Sequence, residues 1–161
     1  MSKKIKRNSG DVFLNRYNND DFWVYSKKVK EHFFHPKNML LDEKGYKADG
    51  IGTVGSPACG DVMSIWIKVD KKTGKITECK WRTFGCASAI ASTSMLSVMV
   101  TEKGGMEIEK AVKIKPEQII ERLGGLPDRK FHCSVLGHLA LREAIDNYLK
   151  RHKHARKKAK I

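Results

Sequence analysis

The chain has no stretch approaching the roughly 20 consecutive apolar residues that a membrane-spanning helix requires, so no membrane association is expected. Its first 30 residues also lack the unbroken apolar block of a secretory signal. A transit peptide would be basic and nearly free of acids, yet Asp11, Asp20, Asp21 and Glu31 intrude here. A cytoplasmic location is therefore the expectation. Cysteine is scarce, with only Cys59, Cys79, Cys86 and Cys133, and no two of them form a Cys-x-x-Cys pair. Without a secretory signal, so few thiols do not read as a disulfide framework. Metal binding or thiol chemistry is the better default.

Acid is missing from both ends. Lys3, Lys4, Lys6 and Arg7 stand without a counter-charge, as do Lys150, Arg151, Lys153, Arg156, Lys157, Lys158 and Lys160. The formal net charge is +14. These eleven side chains account for all but three of those charges, so the sequence between them is nearly balanced. Such ends are usually solvated, and some grip acidic partners or nucleic acid. Nothing here interleaves aromatics with the basic residues, and no nucleic-acid-binding motif appears. Nucleic acid is therefore disfavoured as a partner, although a zinc-stabilised basic nucleic-acid-binding module is one rival reading.

The 161 residues suit one domain. The expected division is a disordered, basic and polar tail over 1–18, a domain over 19–152 and a basic tail over 153–161. A helix is expected over 20–34. Asp20 or Asp21 would cap it, Phe22, Val29 and Phe33 would share its buried face, and His35-Pro36 would end it. His32 and His35 read as capping or solvent-facing. Residues 37–58, with Gly45, Gly50, Gly52, Gly55 and Pro57, read as a long connection with room for a short strand.

Residues 62–69 alternate, with Met63, Ile65, Ile67 and Val69 on one face, which predicts a half-buried strand. Trp66 falls on its polar face. After a turn at 70–74, residues 75–84 return as the second arm of a hairpin. There Thr77, Cys79, Trp81 and Thr83 share a face, and Cys79 reads as a packing residue. The period then changes to helical. Helices are expected over 88–103, 107–114 and 117–123, and a last one over about 134–152. The last would bury Leu136, Leu139, Ala140, Ile145, Tyr148 and Leu149. His138 reads as an ordinary residue of that helix, and His152 and His154 as adventitious metal binders. The order of elements indicates an α+β fold in which an antiparallel β-sheet carries helices packed on one face.

The remaining three cysteines sit at element ends. Cys59 lies in Gly55-Ser56-Pro57-Ala58-Cys59-Gly60-Asp61, before the first clear strand. Cys86 lies between a strand and a helix. Cys133 follows His132 and opens the last helix. Ends of a hairpin and of helices can converge on one edge of such a domain. Cys59, Asp61, Cys86, His132 and Cys133 would then form a ligand set for a soft or borderline metal, or for an iron–sulfur cluster. Cys86 and Cys133 at helix N-termini would be favoured as thiolates. Asp61, a harder ligand, would loosen whatever the thiolates hold.

Three blocks of this sequence resemble those of the IscU/NifU N-terminal scaffold family. They are Gly55-Ser56-Pro57-Ala58-Cys59-Gly60-Asp61-Val62-Met63, Thr83-Phe84-Gly85-Cys86-Ala87-Ser88-Ala89-Ile90-Ala91-Ser92, and His132-Cys133-Ser134. The resemblance covers about residues 22–150 and implies an IscU/SufE-like sandwich. It implies a scaffold rather than an enzyme. Such a protein takes sulfur from a cysteine desulfurase of the IscS/NifS kind, binds iron, builds a transient [2Fe–2S] cluster and passes it to apo-proteins. The ligands would fall on Cys59, Cys86, Cys133 and His132, with Asp61 needed for assembly and release. Fe2+ or Zn2+ would occupy the resting protein. Cys133 would accept the sulfur, and Tyr25 matches a tyrosine implicated in persulfide handling.

Two departures stand out. Ala87 replaces a second glycine after Cys86. Leu126-Pro127-Asp128-Arg129-Lys130 stands where the family carries its chaperone-recognition segment Leu-Pro-Pro-Val-Lys, and Asp128 and Arg129 argue against a dedicated Hsp70-type chaperone. The remaining rival is a zinc-dependent sulfurtransferase of the SufU type. His132 and the short spacer before Cys133 speak against it.

Overall fold

The structure, a computed structural model, describes residues 25–56 and 60–158, with the side chains of Ser56, Arg129 and residues 153–158 set aside. The expected N-terminal tail and the first part of the expected first helix, including Phe22 and its caps Asp20 and Asp21, lie outside that range. The described helix, α1, runs Lys27–Phe34 and is capped by Ser26, whose hydroxyl accepts from the Val29 amide at 3.1 Å. It ends at His35, as the following proline requires.

A four-stranded antiparallel sheet follows in the order β1-β2-β3-β4. Its strands are β1 (Gly50–Ser56), β2 (Asp61–Val69), β3 (Lys75–Phe84) and β4 (Met106–Glu107). The helices are α2 (Ala87–Thr101), α3 (Ile108–Ala111), α4 (Pro116–Arg122) and α5 (Phe131–Lys158), with short 3-10 turns at Glu102–Gly104 and Asp128–Lys130. The long helix α5 packs on β1 and β2, and α2 packs on β3, α1 and α5. The expected α+β architecture, a sheet carrying helices, is the one observed. None of the described helices is long and apolar enough to cross a membrane.

The core forms where the helices meet the sheet. Met63, Ile65, Ile67, Cys79 and Trp81 project into it from the sheet, and Leu96, Val100, Leu141 and Ile145 from the helices. Cys79 is buried as expected, and burial pushes its thiol up to about 12. The alternation of β3 slips once. Lys68 pairs with Glu78, but Val69 pairs with Ile76. Thr77 is the extra residue of this bulge, so Ile76 joins the core and Thr77 is exposed.

β1 is where the sequence was least informative. Three of its seven residues are glycine, which leaves no apolar alternation to read. The glycines exist for α5. A Cβ on Gly52 would sit 2.2 Å from the Ala140 carbonyl oxygen, and one on Gly50 2.2 Å from that of Ala144. The helix backbone therefore lies directly on the strand.

That docking also sets which face of α5 is buried. Leu136, Ala140, Leu141, Ala144, Ile145 and Tyr148 face the core, whereas Leu139 and Leu149, expected in the buried stripe, are exposed. The helix begins at Phe131 rather than 134 and runs on through Lys158 instead of stopping at 152.

Trp66 keeps to the face of β2 opposite Met63, Ile65 and Ile67, as expected, and is covered there, since it is buried. One further expectation changes. His32 is neither a cap nor solvent-facing. It is buried, with Nδ1 2.7 Å from the Ser94 hydroxyl, and burial lowers its pKa. The Lys37 amide also donates to that hydroxyl at 2.8 Å, and the Trp81 indole N–H donates to the Lys37 carbonyl at 2.7 Å. These bonds tie α1 and its following turn to α2 and β3. Because α2 is enclosed nearly all round, it shows no amphipathic period. Its buried hydroxyls bond back to the helix, as Thr93 does to the Ala89 carbonyl at 2.8 Å.

Candidate metal and sulfur site

Strand register brings the site together. The first residue of β2, Asp61, lies at the same end of the sheet as the last of β3, because Val62 pairs with Phe84. β3 then turns through Gly85 and Cys86 directly into α2, for which Cys86 is the N-cap. Gly85 makes the close passage possible: a Cβ there would lie 3.3 Å from the Asp61 carboxyl carbon and 3.0 Å from the Ala89 Cβ. Cys133 arrives from the first turn of α5. This helix crosses α2 at Gly137, where a Cβ would already be 3.2 Å from the Thr93 hydroxyl.

The result is one corner holding a carboxylate and two thiols. Ligand atoms of Asp61, Cys86 and Cys133 all lie within 4.8 Å of one another. The sulfurs of Cys86 and Cys133 are 3.3 Å apart. Asp61 and Cys133 are buried and Cys86 is half-buried.

The two thiols divide their proton unequally. The hydrogen bond that Cys133 donates holds Cys86 as thiolate, with a pKa of about 5, against the opposing effect of burial. The amides of Ala89 and Ser88 at the start of α2 and the charge of Lys130 help. Cys133 is pushed up, first because its S–H is engaged by Cys86, then by burial, then by the charges of Cys86 and Asp61.

Of the five expected ligands, three converge. Cys59 lies outside the described residues. His132 is exposed and does not join the group of three. Successive helical residues point about 100° apart, and α5 turns Cys133 into the corner and His132 outward. This follows from the helix starting upstream of Cys133, which the sequence reading placed just before it.

Tyr25 is present at the same corner, its hydroxyl 2.9 Å from that of Ser88, two residues after Cys86. Lys130 was not among the expected site residues. Its charge lowers the pKa of both thiols. Its place two residues before His132 was the available signal. His138 is less ordinary than expected, since its buried Nδ1 has no hydrogen-bond partner among the described residues.

Two thiols and a carboxylate at the edge of a helix-covered antiparallel sheet define a class: a small α+β domain that presents a soft-metal ligand set at one corner. The chain belongs to the NifU-like N terminal domain family, whose model matches residues 24–155.

Several of its relatives carry names from iron–sulfur cluster assembly, and others are named for nitrogen fixation. It is 48% identical over 128 residues to the iron-sulfur cluster assembly scaffold protein IscU 1 of Archaeoglobus fulgidus, covering 80% of this chain and 78% of that protein. It is 42% identical to the IscU scaffold of Aquifex aeolicus, covering 85% of this chain and 83% of the relative. The nitrogen fixation protein NifU of Nostoc is 44% identical, but only 42% of its length is matched. Among solved structures, the N-terminal NifU-like protein of Brucella abortus shares the fold. Its TM-score is 0.59 at 18% identity, over 81% of this chain and 96% of that one.

Proposed function

We propose that this protein is a scaffold on which iron–sulfur clusters are assembled and from which they are passed to other proteins. The observation that carries the proposal is the corner of Asp61, Cys86 and Cys133, three ligand atoms within 4.8 Å, in a chain of the NifU-like family. The fit follows from donor chemistry. Thiolates suit iron–sulfur clusters and zinc, and a carboxylate tolerates ferrous iron. Cys59, two residues before Asp61, would supply a further thiolate.

In this reading a cysteine desulfurase supplies the sulfur and apo-proteins take the finished [2Fe–2S] cluster, which is cargo. Fe2+ or Zn2+ binds the same residues between cycles. Asp61 makes the hold a loose one, as delivery demands. The protein works by holding and handing over, not by turnover, and the cytoplasm is the compartment where we place it. Asp128 and Arg129 leave the dedicated Hsp70-type chaperone out of this scheme.

The test is anaerobic reconstitution of the full chain with a cysteine desulfurase, cysteine and ferrous iron, followed by visible spectroscopy and transfer to an apo-ferredoxin. Cluster absorbance that moves to the acceptor is the expected result. Tightly held zinc with persulfide turnover and no cluster would instead establish the SufU-type sulfurtransferase reading.

A further inference from the structure

The sequence places the end of the last helix at 152 and reads 153–161 as a basic tail. In the structure α5 is continuous from Phe131 through Lys158. Its support on the sheet ends earlier. β1 begins at Gly50, where an added Cβ would lie 2.9 Å from that of Tyr148. The Tyr148 ring in turn meets His152, with centroids 4.2 Å apart. The end of the helix is cationic: it holds Lys150, Arg151, Lys153, Arg156, Lys157 and Lys158, and no acid occurs after Asp146.

We infer that the C-terminal turns of α5 form a basic arm that binds the phosphate backbone of double-stranded nucleic acid without regard to base sequence. The inference stands apart from the metal and sulfur chemistry of the proposed function.

The first argument is what the arm lacks. Between Lys150 and Lys158 the one apolar residue is Ala155. A helix lying on a membrane needs a broad apolar face. A helix lying in a protein groove needs apolar anchors one and two turns apart. This stretch offers neither, so charge is what it has to recognise a partner with.

The second argument is density. Six cations over nine helical positions occupy about 12 Å of axis, or roughly one per 2 Å, at a rise of about 1.5 Å per residue. A duplex carries one phosphate charge per about 1.7 Å of its own axis. The third is distribution. At about 100° per residue, the six positions go round the axis and do not form a single stripe. An acidic protein face meets a helix from one side. The major groove, roughly 12 Å wide, admits a whole helix between two rows of phosphates.

The missing sequence motif, which disfavours nucleic acid when the chain is read alone, bears on base recognition. Gripping the backbone needs none, because its driving force is the release of counterions. The arm also stands clear of the ligand corner. Lys150 lies seventeen residues beyond Cys133 on the same helix, about 26 Å along its axis, so a duplex held there leaves the corner open.

The experiment follows the fluorescence anisotropy of a labelled mixed-sequence DNA duplex, titrated with the full chain across a salt series. We expect a dissociation constant in the micromolar range at about 0.1 M salt. The slope of log K against log salt should fall between about −3 and −5, since six cations release at most about six counterions. Removing residues 153–161 takes away Lys153, Arg156, Lys157, Lys158 and Lys160. That should weaken binding by about tenfold or more and flatten the slope. Ala155→Pro keeps every charge but breaks the helix, and should weaken binding about fivefold by undoing its pre-organisation. Removing residues 1–7 should change the affinity by less than about twofold. Thermal melts matching the wild type show that each variant keeps the domain folded. Polyglutamate, matched charge for charge, should displace the duplex at least about tenfold less well than unlabelled duplex does.

No anisotropy change at the lowest salt would overturn the inference. So would wild-type affinity in Ala155→Pro, which would leave charge alone as the binder, or a loss that follows residues 1–7 and not 153–161. Displacement by polyglutamate as effective as by duplex would overturn it in favour of an acidic protein partner.

Discussion

Cys86 and Cys133 hold one proton between them, and most of what the corner does depends on which sulfur keeps it. The Cys86 pKa falls from the ordinary thiol value of 9.0 to about 5, chiefly through the hydrogen bond from Cys133. Its thiolate therefore persists at neutral pH, and its rate of alkylation by iodoacetamide should be flat until the medium approaches pH 5. The sign for stability is the same. A depressed thiol pKa contributes stability fully above the unfolded value and loses it as pH falls through the folded one. Cys133→Ala removes the donor, so the alkylation midpoint of Cys86, read by peptide mapping, should move upward. Superimposable pH profiles of the two proteins would show that the amides of α2 and Lys130 suffice without Cys133. Asp61 makes a separate contribution. As the harder ligand it weakens retention, so Asp61→Ala should slow cluster transfer to an apo-ferredoxin, followed by absorbance. Transfer at the wild-type rate would remove that role. The thiols and the carboxylate were legible in the sequence because each stands in a glycine-flanked turn or at an element end. The inequality of Cys86 and Cys133 was not, because it needs one sulfur buried and the other half-exposed. Nor was the outward aim of His132, which depends on where α5 begins.

At the scale of elements, β1 and α5 determine each other. β2 and β3 announce themselves through alternation of Met63, Ile65, Ile67 and Val69 and through Cys79 and Trp81. β1 carries glycine where those strands carry side chains, so its alternation is silent and its existence follows only from its partner. The same contact misled the reading of α5. A helix resting its backbone on glycines buries small residues, Ala140 and Ala144 among them, and turns Leu139 and Leu149 outward. Gly52→Ala tests this directly. The added Cβ would meet the Ala140 carbonyl oxygen at 2.2 Å, and neither backbone can yield alone. Overpacking of this kind typically costs about 1–3 kcal/mol, and the upper end is expected here. Gly55→Ala, in the same strand, would place its Cβ 3.7 Å from its nearest neighbour and should stay within about 0.5 kcal/mol of wild type. Urea titration of the two variants gives the comparison. Equal losses would mean that β1 is sensitive to any side chain, not to α5 in particular.

For the whole molecule, charge and chemistry are separated along the chain. Eleven of the fourteen net positive charges fall in residues 1–7 and 150–161, while the ligands span positions 59 to 133. Part of the second basic stretch is helical, since α5 continues through Lys158; the reading that ended the helix at 152 lacked an apolar stripe to follow further. Charges so placed can steer an encounter without touching the corner where sulfur and metal are held. Steering of this kind raises association rates and fades with salt, because screening at about 0.1 M confines exposed charges to roughly 10 Å. Removing residues 1–7 and 154–161 takes away eight basic side chains: Lys3, Lys4, Lys6, Arg7, Arg156, Lys157, Lys158 and Lys160. The truncated chain should form a cluster with an unchanged visible spectrum. Its association with an acidic partner should slow by about tenfold at low ionic strength, with the difference vanishing as salt rises. Stopped-flow association across a salt series, beside reconstitution with excess sulfide and iron, separates the two properties. If the truncated chain cannot form a cluster under those conditions, the terminal segments support the corner itself, and the separation of charge from chemistry does not hold.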